Sequence, residues 1–237
     1  MGTFASLSGV IGKSYEEVLS SLKNYTASAG GGLQPADHPK SYDDNCCILK
    51  ESYGNTTIHY PYNYTEWDNS SEFISRELNT TVFSFHIHDG DFWMYVMYCN
   101  GEVVDQFNPV PDYWEENISD EEIESWKGDA ETIARYVSYI NAGDIRNYLI
   151  RWNLDDEENA KAYPDDECSK EDWQLLDFMK KLKLPYPIDD NGSPDGQVFT
   201  LWTNQLRLSP PKPTNQNVNE SSSNTEHKKN KPWWKFW

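Results

Sequence analysis

Two histidines and two aspartates lie within the short segment His86-Ile87-His88-Asp89-Gly90-Asp91. Because alternate residues of a β-strand point to the same face, a strand here would place both imidazoles side by side. Two imidazoles and a carboxylate can hold a divalent metal and leave coordination positions open for water or substrate. One hypothesis is therefore a Zn, Fe or Mn site formed by His86, His88 and Asp91. Asp89 would then be a nearby catalytic base, in a metal-dependent hydrolase.

The same residues also have a purely structural interpretation. His88 and Asp91 would form a cross-strand ion pair beside a turn, His86 would pack on Trp93 beneath a helix, and Asp-Gly is ordinary turn chemistry. The His-x-His pair resembles the strand pairs of cupin-like metal sites, but the further Glu and the later His of that pattern are missing. Three residues of metal-ligand type are easily met by chance. We therefore expect no cofactor, with the metal site as the alternative.

Other catalytic signatures are missing from the sequence. There is no GxSxG, no GxxxxGK[ST] and no GxGxxG pattern. The four cysteines, Cys46, Cys47, Cys99 and Cys168, have no CxxC spacing, and adjacent residues such as Cys46 and Cys47 would point to opposite faces of a strand. The sequence therefore favours a protein without enzymatic activity, with reduced thiols.

Charge is unevenly distributed along the chain. The net charge is −19, and because residues 209–237 hold five Lys against two Glu, residues 1–208 carry −22. Such a body repels phosphate backbones, which disfavours nucleic-acid binding by the body but suits a basic protein partner. Acidity also simply keeps proteins soluble.

The C-terminal segment combines a polar linker with a basic aromatic end. Residues 209–230 are rich in Pro, Asn and Ser, and they have too little apolar surface to offset the entropy of ordering. Four of the last five residues are aromatic, and Trp with Lys is typical of interface anchors and of membrane surfaces. We expect this end to bind a partner protein, the protein's own acidic body or, peripherally, a bilayer. The residues concerned are Lys231, Trp233, Trp234, Lys235, Phe236 and Trp237.

The clearest structural pattern is residues 81–107, where Asp89-Gly90 and Asn100-Gly101 separate three runs rich in β-branched and aromatic residues. This predicts a three-stranded antiparallel meander. A two-residue first turn would pair His88 with Asp91, which puts Phe83, Phe85, Ile87, Phe92, Met94 and Val96 on a core face and Ser84, His86, His88, Asp91, Trp93 and Tyr95 on the other. The third strand would place Val103, Asp105 and Phe107 on the core side, where a carboxyl needs a partner.

Capping residues predict the helices. Ser14 and Glu17 form a capping box after a strand over 4–11, and Ser119, Asp129, Asp144 and Ser169 are typical N-caps of later helices. A last strand is expected over 197–202. We therefore predict an α+β fold: an antiparallel sheet with a central three-stranded meander and helices packed on it. Residues 1–208 would form one domain, strand-rich over 1–110 and helix-rich over 111–208, followed by a disordered linker and basic Trp-rich end over 209–237.

The stretch Lys161-Ala162-Tyr163-Pro164-Asp165-Asp166-Glu167, followed by Asp172-Trp173-Gln174, resembles an uncharacterised family of bacterial proteins. The resemblance implies a bacterial cytoplasmic setting and carries no activity. A cytoplasmic location is also expected because reduced thiols are the default for these cysteines. No run approaches the roughly 18 to 20 apolar residues of a membrane-spanning helix. The function expected from the sequence is a non-enzymatic interaction factor, of the inhibitor or immunity type, that binds another protein through its acidic body or its Trp-rich end.

Overall fold

Eight strands form one antiparallel sheet in the computed structural model, which describes residues 4–36, 46–62, 64–114, 118–152 and 172–206. The order across the sheet is β2-β8-β3-β4-β1-β5-β6-β7. The strands are β1 Ala5–Val10, β2 Gly32–Pro35, β3 Cys46–Ser52, β4 Asn55–His59, β5 Thr81–His88, β6 Phe92–Cys99, β7 Glu102–Phe107 and β8 Gln197–Trp202. The expected α+β class is confirmed, but the meander β5-β6-β7 lies at one end of the sheet and not at its centre.

Six α-helices accompany the sheet in the described residues: α1 Tyr15–Ser28, α2 Trp67–Glu77, α3 Asp120–Ser125, α4 Ala130–Tyr136, α5 Ala142–Ile145 and α6 Asp172–Lys181, with a 3-10 turn at Arg146–Tyr148. The capping box of Ser14 and Glu17 is confirmed, as are the caps Ser119 and Asp129. The cap predicted at Asp144 is wrong. Asn141 caps α5 by accepting from the Gly143 N–H, and Asp144 lies in the first turn, where a carboxylate favours the helix dipole. Ser169 lies outside the described residues.

Helices cover both faces of the sheet. On one face, called here the α1 face, α1 and α2 bury Val18, Leu22 and Ile74 against Ile58 and Val82. On the opposite face, the α6 face, α4, α5 and α6 bury a second cluster that includes Leu7, Phe83, Phe85, Ile133, Ile145, Phe178 and Leu182. Because both faces are covered, every residue of β5 is buried.

The register of the first hairpin differs from the prediction by one residue. Asp89 and Gly90 do form a tight turn, since both have positive φ and the Asp91 N–H donates to the His88 carbonyl at 2.8 Å. Asp91 nevertheless stays out of the ladder, and His88 pairs with Phe92. One extra residue in a strand moves every following side chain to the other face. Phe92, Met94 and Val96 therefore share the face of His86, and the predicted division of β6 is wrong; Trp93, Tyr95 and Met97 join Phe83 and Phe85 in the α6-face core.

Asp105 has the partner that its position requires. The Tyr95 hydroxyl donates to Asp105 Oδ2 at 2.6 Å, and the Asp129 backbone N–H donates to the same oxygen at 3.2 Å. Burial raises the pKa of the Asp105 carboxyl. A register shift in β6–β7 between Met97 and Tyr98 pairs Met97 with Asp105 and Tyr98 with Val103. The shift places Val103 on the face of Tyr98, opposite to Phe107, and Val103 is exposed there, not part of the core as predicted.

Candidate binding pocket

The two histidines of the segment 86–91 lie in a pocket of about 430 Å³ on the α1 face of the sheet. Aromatic rings dominate its lining. The lining residues are Phe4, Ser6, Pro61, Tyr62, Tyr64, Thr65, Trp67, His86, His88, Asp89, Met94 and Trp114. Its volume is within the range of small-ligand sites, roughly 300 to 1,000 Å³.

Three neighbouring strands form the floor of the pocket. Ser6 of β1 pairs with His86 of β5, and His86 pairs with Met94 of β6, so the three residues make one row across the sheet. The Ser6 hydroxyl lies 3.0 Å from His86 Nδ1 and forms a hydrogen bond with it. The sheet register therefore fixes both the position and one hydrogen-bond partner of the His86 imidazole.

The His86 ring stacks on Trp67, the first residue of α2. Their ring centroids are 4.5 Å apart and their planes differ by 5°. Burial lowers the pKa of His86 to about 3, with a smaller contribution from the neighbouring His88. His86 is therefore neutral at pH 7. A helix does cover His86, but the predicted packing on Trp93 is wrong because Trp93 lies on the α6 face.

His88 is enclosed by aromatic rings. It makes edge-to-face contacts with Phe4 and Trp114, at centroid distances of 5.1 and 4.8 Å. Burial lowers the pKa of His88, although Asp89 and Asp91 act in the opposite direction. In place of the predicted ion pair with His88, Asp91 accepts a hydrogen bond of 2.8 Å from the Tyr113 hydroxyl.

The structure does not bring the hypothesised metal ligands together as a triad. The rings of His86 and His88 are 6.0 Å apart and tilted by 52°, His86 Nδ1 is bonded to Ser6, and Asp91 is engaged by Tyr113. Over the described ranges, no group of three or more His, Cys, Asp or Glu side chains is arranged to hold a metal ion. Asp89, the hypothesised base, is exposed at the rim of the pocket.

The charges around the pocket are negative. With neutral imidazoles, Asp89 is the one formally charged side chain among the described lining residues, which include no Lys or Arg. On either side of Trp67, the carboxyl groups of Glu66 and Asp68 are buried. Thr203 Oγ1 donates to Glu66 at 2.5 Å and Ser84 Oγ donates to Asp68 at 2.7 Å, so hydroxyl groups hold both carboxyls. The formal charge of the described pocket lining is therefore the negative charge of Asp89 at the rim.

An acidic helix lies next to the pocket on the same face. Met94 lines the pocket, and Val96, two residues further along β6, packs with Trp126 at the end of α3. No residue of α3 itself is buried. Its carboxyl groups, those of Asp120, Glu121, Glu122 and Glu124, are exposed to solvent.

Sequence reasoning found the two histidines and missed the aromatic residues that enclose them. Phe4, Trp67 and Trp114 come from three separate segments, which only the fold brings together. One feature of the sequence does indicate an aromatic site: four aromatic residues occur within 60–67. The hypothesised partner-binding residues Lys231, Trp233, Trp234, Lys235, Phe236 and Trp237 lie outside the described residues.

No family model matches the chain, and neither does any curated protein or solved structure. In the described segments, no helix has the length and apolar character needed to cross a membrane.

Proposed function

We propose that the protein is a non-enzymatic interaction factor that binds a basic partner protein. The binding surface consists of α3 and the mouth of the pocket, and is called here the acidic face. The observation that carries the proposal is the row of solvent-exposed carboxyl groups on α3, next to a preformed pocket with no Lys or Arg among its described lining residues. An inhibitor or immunity-type factor for a basic target is the class of protein that this surface fits.

The two parts of the acidic face would contribute differently to binding. Exposed carboxylates on α3, together with the −22 charge of residues 1–208, would accelerate encounter with a basic protein and repel nucleic acid. An aromatic pocket can take a buried anchor side chain, and such anchors supply much of the affinity of protein interfaces. The surface charge would therefore speed the encounter with the basic partner, and the pocket would determine which partner binds tightly.

Neutralising α3 tests the proposal directly. Asp120→Asn with Glu121→Gln removes two charges from the first turn of α3. The control, Asp144→Asn with Glu16→Gln, removes two charges from the first turns of α5 and α1. Both variants have the same net charge and similar losses at helix dipoles.

Affinity capture with the full chain as bait, followed by identification of the bound protein and measurement of its Kd, compares these variants. We expect a basic protein to be captured, with roughly tenfold weaker binding to the α3 variant and near-normal binding to the control. Equal losses in the two variants would mean that net charge alone matters, and would contradict the acidic face as the binding surface.

The C-terminal residues 228–237 enter this proposal as a second contact, with the partner or peripherally with a membrane. Their deletion should weaken capture while leaving the thermal unfolding midpoint unchanged. Undiminished capture would remove this segment from the interaction.

The metal-dependent hydrolase remains an alternative hypothesis for His86, His88 and Asp91, with Asp89 as base. Elemental analysis of the purified chain decides it, since stoichiometric Zn, Fe or Mn that is lost in His86→Ala would support it. Absence of stoichiometric metal from the wild-type protein, with no further loss in His86→Ala, would reject the metal-site hypothesis.

A further inference from the structure

The pocket next to α3 has a chemistry that selects among ligands. Its walls are aromatic faces and edges, from Phe4, Tyr62, Tyr64, Trp67 and Trp114, and Met94 adds a polarisable floor. The polar groups of the lining side chains are the hydroxyls of Ser6, Tyr62, Tyr64 and Thr65, the two imidazoles, the two indole N–H groups, and the Asp89 carboxyl at the rim.

Anionic ligands fit this pocket poorly. A phosphate or carboxylate would find no Lys or Arg among the described lining residues, and it would meet the Asp89 carboxyl at the rim. Burying a charge without a counter-charge is costly. The ligand must therefore be neutral or positively charged.

Positive charge is favoured over neutrality for two reasons. Aromatic faces attract cations through their quadrupoles, most strongly when the cation is partly desolvated. The carboxyl group of Asp89 at the rim adds to this attraction, as does the −22 charge of residues 1–208.

We propose that the pocket bounded by Phe4, Trp67, His88, Asp89 and Trp114 is an aromatic cage for an organic cation. The ligand is an alkylammonium group, including quaternary ammonium, on an apolar stem. A volume of about 430 Å³ holds both the ammonium head and several carbons of the stem. This inference rests on the proposed function in one respect: a lysine or methylated lysine of the basic partner carries this chemistry. A free small amine carries it equally.

Isosteric probes separate charge from shape. Choline and 3,3-dimethyl-1-butanol have nearly the same shape, but only choline is charged, and pivalate presents the same branched group with a carboxylate. Titration of the ¹⁵N-labelled full chain, followed by amide and indole N–H signals, measures weak binding and locates it. We expect choline to bind about tenfold more tightly than the alcohol, with pivalate weaker than both, and the largest shifts at Trp67 and Trp114. Equal or tighter binding of the alcohol would overturn the proposal, and so would shifts that avoid these indoles.

Asp89→Asn tests the carboxyl at the rim. Asp89 has φ of 50°, and Asn is the residue besides Gly that best tolerates this conformation, so the turn is preserved. Choline should bind several-fold more weakly to this variant while the alcohol binds as before, and Asp190→Asn, an exposed aspartate outside the lining, should change neither. Unchanged choline binding to Asp89→Asn would contradict the role of this carboxyl.

Trp114→Leu tests the cage wall at a partly exposed residue, with Tyr136→Leu on α4 as a matched aromatic control. Choline affinity should fall about five- to tenfold in the first variant and stay unchanged in the second. Equal affinities in the two variants would overturn the cage.

Two further probes identify the source of the cation. Tighter binding of Nα-acetyl-trimethyllysine amide than of choline supports a partner side chain, and the reverse order supports a free amine. Because these titrations need no partner, their failure is distinct from failure of the proposed function. If choline does not bind but partner capture still depends on the α3 carboxylates, only the cage is rejected. If choline binds but partner capture does not depend on the α3 carboxylates, only the acidic face is rejected as a protein-binding surface.

Discussion

The imidazole of His86 and the indole of Trp67 lie parallel, with 4.5 Å between centroids and 5° between planes. This contact joins strand β5 to the first residue of α2, so the floor and one wall of the pocket form a single packed unit. The bond from His86 Nδ1 to Ser6 ties β1 to the same unit. The pocket is thus a consequence of core packing and is formed before any ligand arrives.

His86 should make the protein sensitive to acid. Its pKa of about 3 in the folded state is below its ordinary value of 6.5, so the unfolded state binds more protons between these two pH values. The free energy of unfolding should therefore decrease as pH falls from about 6.5 toward 3. His86→Phe, which retains a ring against Trp67, should lack this component.

Urea unfolding at a series of pH values measures the effect. The wild type should lose stability relative to His86→Phe by up to about 1.4 kcal/mol per pH unit within that window. His59, whose pKa burial lowers to about 4, is common to both proteins and cancels. Parallel profiles for the two proteins would show that His86 is not buried in its neutral form.

Removal of the Tyr95 hydroxyl should destabilise the fold. Tyr95→Phe takes the 2.6 Å bond away from Asp105, whose partly buried carboxyl then retains the Asp129 N–H. We expect a loss of about 1 to 3 kcal/mol in the free energy of unfolding. The control is Tyr113→Phe, since the Tyr113 hydroxyl donates to Asp91 at an exposed site, and its cost should stay below about 0.5 kcal/mol. Equal costs would mean that burial of Asp105 is unimportant.

The two serine caps should differ in their effect on global stability. Ser14→Ala removes the capping box of α1, which buries Val18 and Leu22, and should cost about 1 kcal/mol. Ser119→Ala removes the cap of α3, which buries none of its residues, so its loss should melt α3 locally. Chemical denaturation should detect the first change, and faster amide exchange confined to 120–125 the second. A large global effect of Ser119→Ala would show that α3 is integral to the fold.

Gly31 should tolerate no side chain. A Cβ at this position would lie 1.8 Å from the Trp202 carbonyl oxygen, a backbone atom that cannot move without breaking the β2–β8 pairing. Gly31→Ala should therefore lower the free energy of unfolding by more than about 2 kcal/mol, which would appear as a lower thermal unfolding midpoint. Gly143→Ala, where the nearest atom is 3.7 Å away, should be neutral or slightly stabilising in α5. Thermal unfolding of the two variants checks both, and a stable Gly31→Ala would contradict the close approach.

The sequence allowed most elements to be predicted, because local chemistry determines them. The capping box at Ser14 is a local interaction, and β8 was predicted with the bounds it has. The pairing of β6 was missed because an Asp-Gly turn looks the same whether the next residue joins the ladder or stays out of it. Asp91 stays out, and this one residue decides which face Trp93 occupies.

The pocket was predictable only in part. His86 and His88 share a face because they alternate on one strand, which the sequence shows. Their neighbours Phe4 and Trp114 are distant in sequence, and no local pattern indicates that they meet. The two histidines could therefore be recognised as unusual, but their enclosure in an aromatic pocket could not.

Hydrogen–deuterium exchange of the full chain, alone and bound to the captured basic partner, tests the central claim most directly. If the acidic face binds the partner, exchange should slow in 120–126 and at the pocket-lining residues Tyr64, Trp67 and Trp114. Protection confined to the helices of the α6 face, in 130–148 and 174–184, would contradict the account.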